Sequence, residues 1–260
     1  MDIIPYDKYW LFGLGILDML HDYDDIYSFL ELNTNNLTTD LYDFKLTFLD
    51  WYSNKSIIYI GKSFALFNIL SFIITKLNRN KLLYYDNTIL DNTNTLPFSN
   101  YTQQHLLDIN IYWCIALILL GDPIRLSNPP IKIDIIYQAY QHWKEKRSIG
   151  EYWIEKKNIY IQNLFDYFLH LYHNSIPINI EIELPKMLKL INYNQNYQNS
   201  SQIKLLLQQY NNGIIDITQP KLIECIILIS ILSKKKITIT YPDLVKKNWN
   251  RFWIYFTRLH

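Results

Sequence analysis

Gly61-Lys62-Ser63 has the residue types that end a phosphate-binding loop, in which main-chain amides and a lysine hold the phosphates. The complete motif has another glycine five residues before Gly61, and that position is Ser56. The residues around the triplet are apolar, so we expect one buried helix from Ser56 to Leu77 with Lys62 on its surface. The triplet therefore does not predict nucleotide binding.

Two histidines, His170 and His173, are three residues apart, a spacing that could bring both imidazoles to one metal ion. Zinc sites of this kind need a third ligand and often a glutamate base, and the sequence has no His-Glu-x-x-His motif. We therefore interpret the pair as partial positive charge at a helix C-terminus, where the helix dipole favours it. His105 and His142 are also interpreted as structural.

Charge is distributed unevenly along the chain. Residues 1–60 contain ten carboxylates and three lysines, a formal charge of −7, whereas residues 221–260 contain eight basic residues and two carboxylates, a charge of +6. Such asymmetry concerns partners and electrostatic steering and does not specify a fold. The acidic cluster lacks the glycine and glutamate spacing of a calcium site, so we predict no metal there. It is interpreted as solvated helix ends or as an acidic contact surface, on four aspartates: Asp18, Asp22, Asp24 and Asp25.

The basic C-terminal region contains aromatic residues between its lysines and arginines, a combination that could contact phosphates and stack on bases. The aromatic residues, however, follow the spacing of one buried helical face. We favour a core helix whose basic neighbours complement the acidic N-terminal region within the fold, and keep a nucleic-acid-binding or viral accessory protein as the alternative. The residues concerned are Lys234, Lys235, Lys236, Lys246, Lys247, Trp249, Arg251, Phe252, Trp253 and Phe256.

No nucleophile elbow, Cys–His pairing or dinucleotide-binding fingerprint is present, so we predict no catalytic site and no cofactor. An enzyme remains a second alternative if distant residues assemble a site, for example His142, Glu151 and His170. Cys114 and Cys225 lie in apolar sequence, which favours two buried free thiols in a reducing compartment. The apolar runs are shorter than a membrane span and no signal peptide is recognised, so we expect a cytoplasmic protein.

Helical periodicity in most segments and only six glycines in 260 residues favour an all-α fold. We expect a multi-helix array of antiparallel helical hairpins, with one short extended segment near residues 236–241, where polar and β-branched residues alternate. The chain is predicted to form a single domain over residues 1–260. A sub-division, if there is one, is expected in the mixed connector near residues 174–200.

Two stretches resemble a known family. The segment with Trp113, Ala116-Leu117 and Gly121-Asp122 resembles a helix of the all-helical immunity proteins of bacterial polymorphic-toxin systems. The stretch Leu222–Leu232 is followed by three lysines, an alternating segment and a proline-containing aliphatic end. It resembles the end of those chains, with lysines where the family has Arg-Arg-Gly.

This resemblance implies a non-enzymatic antidote that blocks a cognate toxin by tight binding. An Asp-rich surface suits a basic toxin such as a nuclease, because opposite potentials speed encounter and disfavour wrong partners. The partner-binding residues are then expected in the acidic segment, with two tyrosines as aromatic anchors: Asp22, Tyr23, Asp24, Asp25, Tyr27 and Glu31. The sequence leaves the oligomeric state open.

Overall fold

A computed structural model describes residues 4–21, 37–53, 55–85, 88–90, 111–122, 129–147, 156–191, 201–249 and 251–256. These residues are mostly helical, as predicted, with a few short strands. Packing divides the chain into two compact units. The first, here the N-terminal unit, comprises Asp7–Thr34 and Asp40–Lys156; the second, the C-terminal unit, comprises Met1–Tyr6, Asn35–Thr39 and Lys157–His260.

The N-terminal unit contains a sheet of three strands in the order β1-β2-β3, with β1 and β2 parallel and β2 and β3 antiparallel. Its elements in chain order are α1 (Lys8–His21), α2 (Thr39–Tyr52), β1 (Ile57–Gly61), α3 (Phe64–Lys76), β2 (Leu82–Tyr85), β3 (Thr88–Leu90), α4 (Ile111–Leu119) and α5 (Ile131–Lys146).

The C-terminal unit is built around α9, which is buried without interruption from Leu222 to Ile231. The elements in chain order are α6 (Ile159–His173), α7 (Ile180–Leu190), α8 (Ser201–Asn212), β4 (Ile214–Ile215), α9 (Pro220–Leu232), β5 (Thr238–Ile239), a 3-10 helix (Pro242–Lys247) and α10 (Phe252–Phe256). Strand β5 confirms the extended segment expected near residues 236–241, and it pairs in parallel with β4. None of the helices in the described ranges of the two units is long and apolar enough to cross a membrane.

The prediction of one helix from Ser56 to Leu77 is wrong. Residues Ile57–Gly61 form β1, the chain turns, and only Phe64–Lys76 are helical. The strand is favoured because Ile57–Ile60 are β-branched or aromatic. Gly61 then takes the left-handed conformation, with φ at +66°, and Ser63 caps α3 by accepting a hydrogen bond from the Leu66 amide. The described residues are therefore mainly helical with two small sheets, and the antiparallel hairpin arrangement stays a prediction.

The connector predicted at residues 174–200 contains a helix, α7, whose Leu184, Met187 and Leu188 are part of the hydrophobic core of the C-terminal unit. Residues 192–200 lie outside the described ranges. The longest continuous segment of the N-terminal unit ends at Lys156, and that of the C-terminal unit begins at Lys157. The single domain stays a prediction.

The two units share one local arrangement. In each, a helix is followed by a strand, a 13-residue apolar helix and a second strand parallel to the first: α2–β1–α3–β2 and α8–β4–α9–β5. Helices α3 and α9 begin at Phe64 and Pro220, and each is followed by a left-handed residue, Asn78 or Lys234. The two helix starts, 64 and 220, are 156 positions apart, and so are the two left-handed residues, 78 and 234.

The ends of α3 and α9 also have matching contacts. The amides of Arg79 and Lys235 each donate to a helix carbonyl five residues earlier, at 3.0 and 2.9 Å, as in a Schellman motif. The Arg79 guanidinium lies 5.2 Å from the ring centre of Trp51 in α2, and the Lys235 ammonium lies 4.3 Å from that of Tyr210 in α8. Both units are thus built on the same helix–strand–helix–strand core.

Candidate functional site

The predicted partner-binding residues lie outside the described ranges: Asp22, Tyr23, Asp24, Asp25, Tyr27 and Glu31. Helix α1 ends at His21, directly before this segment, and α2 begins at Thr39. The structure therefore does not test these six residues. It does place five of the ten carboxylates in residues 1–60, and each of the five has a role inside the N-terminal unit.

Asp7 and Asp40 fix the start of α1. Oδ1 of Asp7 accepts hydrogen bonds from the amides of Tyr9 and Trp10, at 2.9 and 3.1 Å, as an N-terminal cap does. Burial raises the pKa of Asp7, although these amides and nearby lysine charges act in the opposite direction. Asp40 forms an ion pair with Lys8 at 2.7 Å. Both carboxylates are therefore structural.

Asp18, which the sequence grouped with the acidic cluster, is fully buried in α1. Its Oδ1 accepts a hydrogen bond of 2.8 Å from Nε1 of Trp143 in α5, which ties the two helices together. The described residues include no group of three or more His, Cys, Asp or Glu side chains arranged to hold a metal ion.

Helix α2 places three polar side chains, Asp43, Thr47 and Asp50, along the edge of β1 that does not face β2. The Thr47 hydroxyl donates to the Tyr59 carbonyl at 2.6 Å, and Oδ2 of Asp50 accepts from the Tyr59 amide at 3.1 Å. Oδ2 of Asp43 accepts from the Lys62 amide at 3.2 Å. These side chains are four and three residues apart and therefore lie on one face of α2. They satisfy main-chain groups at the edge of β1 that a neighbouring strand would otherwise bind.

The Gly61-Lys62-Ser63 triplet has the strand–turn–helix context of a phosphate loop, contrary to the helical context predicted for it. Its turn is already occupied by a carboxylate. A Cβ atom added to Gly61 would lie 2.1 Å from Oδ2 of Asp43, so glycine leaves the space that this side chain fills. Because the Asp43 carboxylate binds the Lys62 amide, the turn does not offer this donor to a phosphate.

One face of the sheet next to this turn carries aromatic and aliphatic side chains. The parallel register pairs Ile57 with Leu82 and Tyr59 with Tyr84, so these four side chains share one face. The alternate residues of the two strands, Ile58, Ile60 and Leu83, are fully buried on the opposite face.

We name this surface the tyrosine face and define it as Tyr42, Ile57, Tyr59, Leu82 and Tyr84. The rings of Tyr59 and Tyr84 are 6.0 Å apart, and Tyr42 of α2 lies close enough to act electrostatically on Tyr59. Tyr42 is 53% exposed and Ile57 is 38% exposed, while the other three are half-buried. Partial burial, Asp43 and the neighbouring tyrosines raise the pKa of Tyr59, so its phenol keeps its proton and can donate a hydrogen bond.

The predicted burial of the C-terminal aromatic residues is confirmed for three of the four, but the predicted single helix is not formed, because Trp249 lies between the 3-10 helix and α10. Trp249, Phe252 and Phe256 are buried, and the rings of Trp249 and Phe256 pack edge-to-face on Phe165 of α6. Trp253 donates from Nε1 to the Pro242 carbonyl at 2.8 Å. The three buried rings are therefore not available to stack on bases.

The basic residues nearby contact local groups. The Lys246 ammonium pairs with Asp243 at 2.7 Å, and the Lys235 ammonium donates to the Asn211 carbonyl at 3.3 Å in addition to lying over Tyr210. Both lysines thus have partners within the C-terminal unit, and the predicted pairing of the basic residues with the acidic N-terminal region stays a prediction.

The histidines and cysteines have structural surroundings. His142 packs on the ring of Trp10 at 5.3 Å, and His170 contacts the Asn174 side chain at the end of α6. His105 and Glu151 lie outside the described ranges. Both cysteines are free and buried, as predicted, and burial raises the pKa of the Cys114 thiol to about 11. Such a thiol is protonated and unreactive near neutral pH.

The tyrosine face was missed in the sequence because Ile57–Ile60 were assigned to a helix. A signal for it was present: four consecutive β-branched or aromatic residues followed by Gly61 are typical of a strand that ends in a turn. The place of Tyr42 in this face could be predicted only after β1 is recognised as a strand, since it depends on how α2 contacts β1.

The described residues define a mainly helical protein with a strand–helix–strand core in each unit and an aromatic surface on one of its sheets. Compared with models of known families, with curated proteins and with solved structures, the chain matches none.

Proposed function

We propose that this protein is a non-enzymatic inhibitor that binds another protein, as an immunity protein neutralises its cognate toxin. The tyrosine face is the observation that supports this proposal. Tyrosine is enriched among the residues that dominate binding energy at protein interfaces, because its ring offers apolar area and its hydroxyl a hydrogen bond. The face combines two tyrosines and two aliphatic side chains of the sheet, whose positions the strand pairing fixes, with Tyr42 of α2.

A basic protein is the partner that fits this proposal. Five of the ten carboxylates in residues 1–60 serve the fold of the N-terminal unit, and four of the others belong to the acidic segment 22–31. In the proposal this segment attracts the partner and the tyrosine face supplies contact area. A basic nuclease toxin has the required charge, and the inhibitor would act in the cytoplasm of the producing cell.

The direct test is a binding titration of the full chain against the product of the neighbouring upstream gene. Tyr42→Ala and Tyr84→Ala are each expected to weaken binding by at least about tenfold, the effect of removing an interface anchor. Tyr137→Ala is the matched control, since Tyr137 is 49% exposed on α5 and is not part of the tyrosine face. It should change the affinity by less than about twofold.

A second variant separates the electrostatic attraction by the acidic segment from the contact made by the tyrosine face. Changing Asp22, Asp24 and Asp25 together to Lys should slow association and remove most of its salt dependence, because charge at an interface acts mainly on the encounter rate. Failure of the folded wild-type protein to bind would contradict the proposed function. Binding that is unchanged by both tyrosine substitutions would contradict the tyrosine face.

A further inference from the structure

The C-terminal unit has a cavity of about 600 Å³ where the ends of α6 and α9 meet the chain segment 175–178. This volume lies in the range of roughly 300 to 1,000 Å³ that is typical of small-molecule sites. The cavity belongs entirely to the C-terminal unit and does not involve the tyrosine face. An inference about it is therefore independent of the proposed function.

Polar groups and aliphatic side chains both line the cavity. The aliphatic side chains, here called its aliphatic walls, come from both helix ends and from the segment after α6: Leu171, Ile176, Ile178, Ile231 and Leu232. Exposed Ser175 and Lys234 line it as well. Within the described part of the chain, the Ser175 hydroxyl and the Lys234 ammonium bond no other side chain or carbonyl.

Ser175 and Lys234 also have unusual backbone conformations. Their φ angles are +50° and +53°, in the left-handed region that glycine adopts without strain and other residues rarely adopt. Each residue ends a helix through a Schellman-type turn, a position where glycine is the common choice. In the N-terminal unit the residue equivalent to Lys234 is Asn78, so this turn does not itself require an ammonium group.

We propose that the cavity binds a small ligand with a carboxylate and an apolar chain. The Lys234 ammonium and the Ser175 hydroxyl bind the carboxylate, and the aliphatic walls hold the chain. This role accounts for two side chains at positions where glycine would relieve strain, since residues in strained conformations cluster at ligand sites. An ammonium and a hydroxyl that line one cavity offer hydrogen bonds to a carboxylate, and those from the ammonium are charge-assisted.

Two helix C-termini meet at this position and act against a carboxylate, so the Lys234 ammonium has to offset them. Helix C-termini carry partial negative charge through their unbonded carbonyls. Here the Leu171 and Ser230 carbonyls accept from the amides of Ile176 and Lys235, at 3.3 and 2.9 Å. These bonds satisfy one carbonyl of each helix end, and among the residues that line the cavity Lys234 alone carries a full charge.

The test is a calorimetric titration of the full chain with octanoate, beside octanol and octylammonium as probes of equal chain length. Octanoate is expected to bind at least about tenfold more tightly than either. Lys234→Gly relieves the left-handed strain, so the variant should fold, and it should weaken octanoate binding by at least about tenfold. Asn78→Gly, the equivalent change in the N-terminal unit, should leave octanoate binding unchanged.

Three outcomes would overturn the proposal. They are no binding of octanoate by the wild-type protein, equal binding of octanol or octylammonium, and undiminished octanoate binding by the folded Lys234→Gly variant. A carboxylate with an apolar chain occurs in a fatty acid and at the C-terminus of a hydrophobic peptide. A hydrophobic tripeptide with a free carboxyl end, tested beside its amidated form, shows whether a peptide terminus also binds. Preferential binding of the free acid over the amide supports the carboxylate site, and equal binding of the two counts against it.

Discussion

Thr47 of α2 donates its hydroxyl hydrogen to the main-chain carbonyl of Tyr59 in β1, and the two oxygen atoms are 2.6 Å apart. The amide of the same Tyr59 donates to the Asp50 carboxylate, one helical turn further along α2. Both main-chain polar groups of an edge residue are thus satisfied by helix side chains. A covered edge cannot pair with a strand of another molecule, which is a common route to aggregation.

Thr47→Val should therefore destabilise the protein by about 1–2 kcal/mol, because valine keeps the shape of the side chain but leaves the Tyr59 carbonyl without its donor. The free energy of unfolding from a urea titration measures the effect. Thr75→Val is the matched control, since the Thr75 hydroxyl donates only to the Ser71 carbonyl within α3. We expect a change below about 0.5 kcal/mol for this control, and equal losses in the two variants would show that the edge contact contributes nothing specific.

Gly61→Ala should be more disruptive than the same change at Gly121, although both glycines have positive φ angles, +66° and +84°. At Gly61 the new Cβ would lie 2.1 Å from the Asp43 carboxylate, whereas at Gly121 the nearest atom is the Tyr140 hydroxyl oxygen at 3.4 Å. Backbone strain alone accounts for about 1 kcal/mol at each site, and the collision should raise the loss at Gly61 above about 2 kcal/mol. Thermal unfolding of the two variants compares them directly.

Adding Asp43→Ala to Gly61→Ala separates the two causes. The double variant should recover part of the loss, because the collision is removed while the strain and the missing Lys62 contact remain. Simple addition of the two single effects would contradict the close approach of Asp43 and Gly61.

A structural feature could be predicted from the sequence where the pattern of a few neighbouring residues was enough to indicate it. The burial of Trp249, Phe252 and Phe256 could be predicted from their spacing of three and four, although Trp249 lies outside α10. The boundary between β1 and α3 was harder to predict, since both are apolar over most of their surface and only the β-branched and aromatic residues before Gly61 indicate a strand. In such a continuous run the periods of strand and helix are not distinguishable.

The contacts of α2 illustrate a second limit. Asp43, Thr47 and Asp50 have the spacing of an ordinary solvated stripe, and only the fold shows that a strand edge lies beside them. The predicted partner-binding segment, Asp22 to Glu31, stays a prediction because it lies outside the described residues.

Glycine at the left-handed helix ends should stabilise the protein. We expect Lys234→Gly to raise the free energy of unfolding by about 1 kcal/mol, and Asn78→Gly by less, because asparagine tolerates this conformation better than lysine does. Denaturant midpoints of the two variants measure the gains. A loss of stability in Lys234→Gly would mean that its side chain contributes more to the fold than its backbone strain costs.

The contact between α6 and α7 should make stability depend on pH. The Tyr167 hydroxyl and the Lys186 ammonium both donate to the Glu183 carboxylate. Burial alone would raise the pKa of Glu183, but these two donors hold it below the ordinary value of 4.5. Because the folded pKa is lower than the unfolded one, the contribution is fully present above about pH 4.5 and is lost as the pH falls through the folded pKa.

Glu183→Gln should accordingly lower the free energy of unfolding by about 0.5–1 kcal/mol at pH 7, and the difference from wild type should shrink as the pH is lowered toward 3. Glu181→Gln, at an exposed glutamate of the same helix, is the control and should show a smaller difference. A difference for Glu183→Gln that is constant over this pH range would contradict the role of its charge.

The strand–helix–strand core that occurs in both units has a consequence for how the chain folds. Paired strand residues are only 24 or 25 positions apart in sequence (214 to 238 and 57 to 82), although the strands are parallel. Short loop closures carry a low entropic barrier, and local contacts favour fast folding. We therefore expect the two cores to act as separate folding nuclei, each formed from its own short segment of the chain.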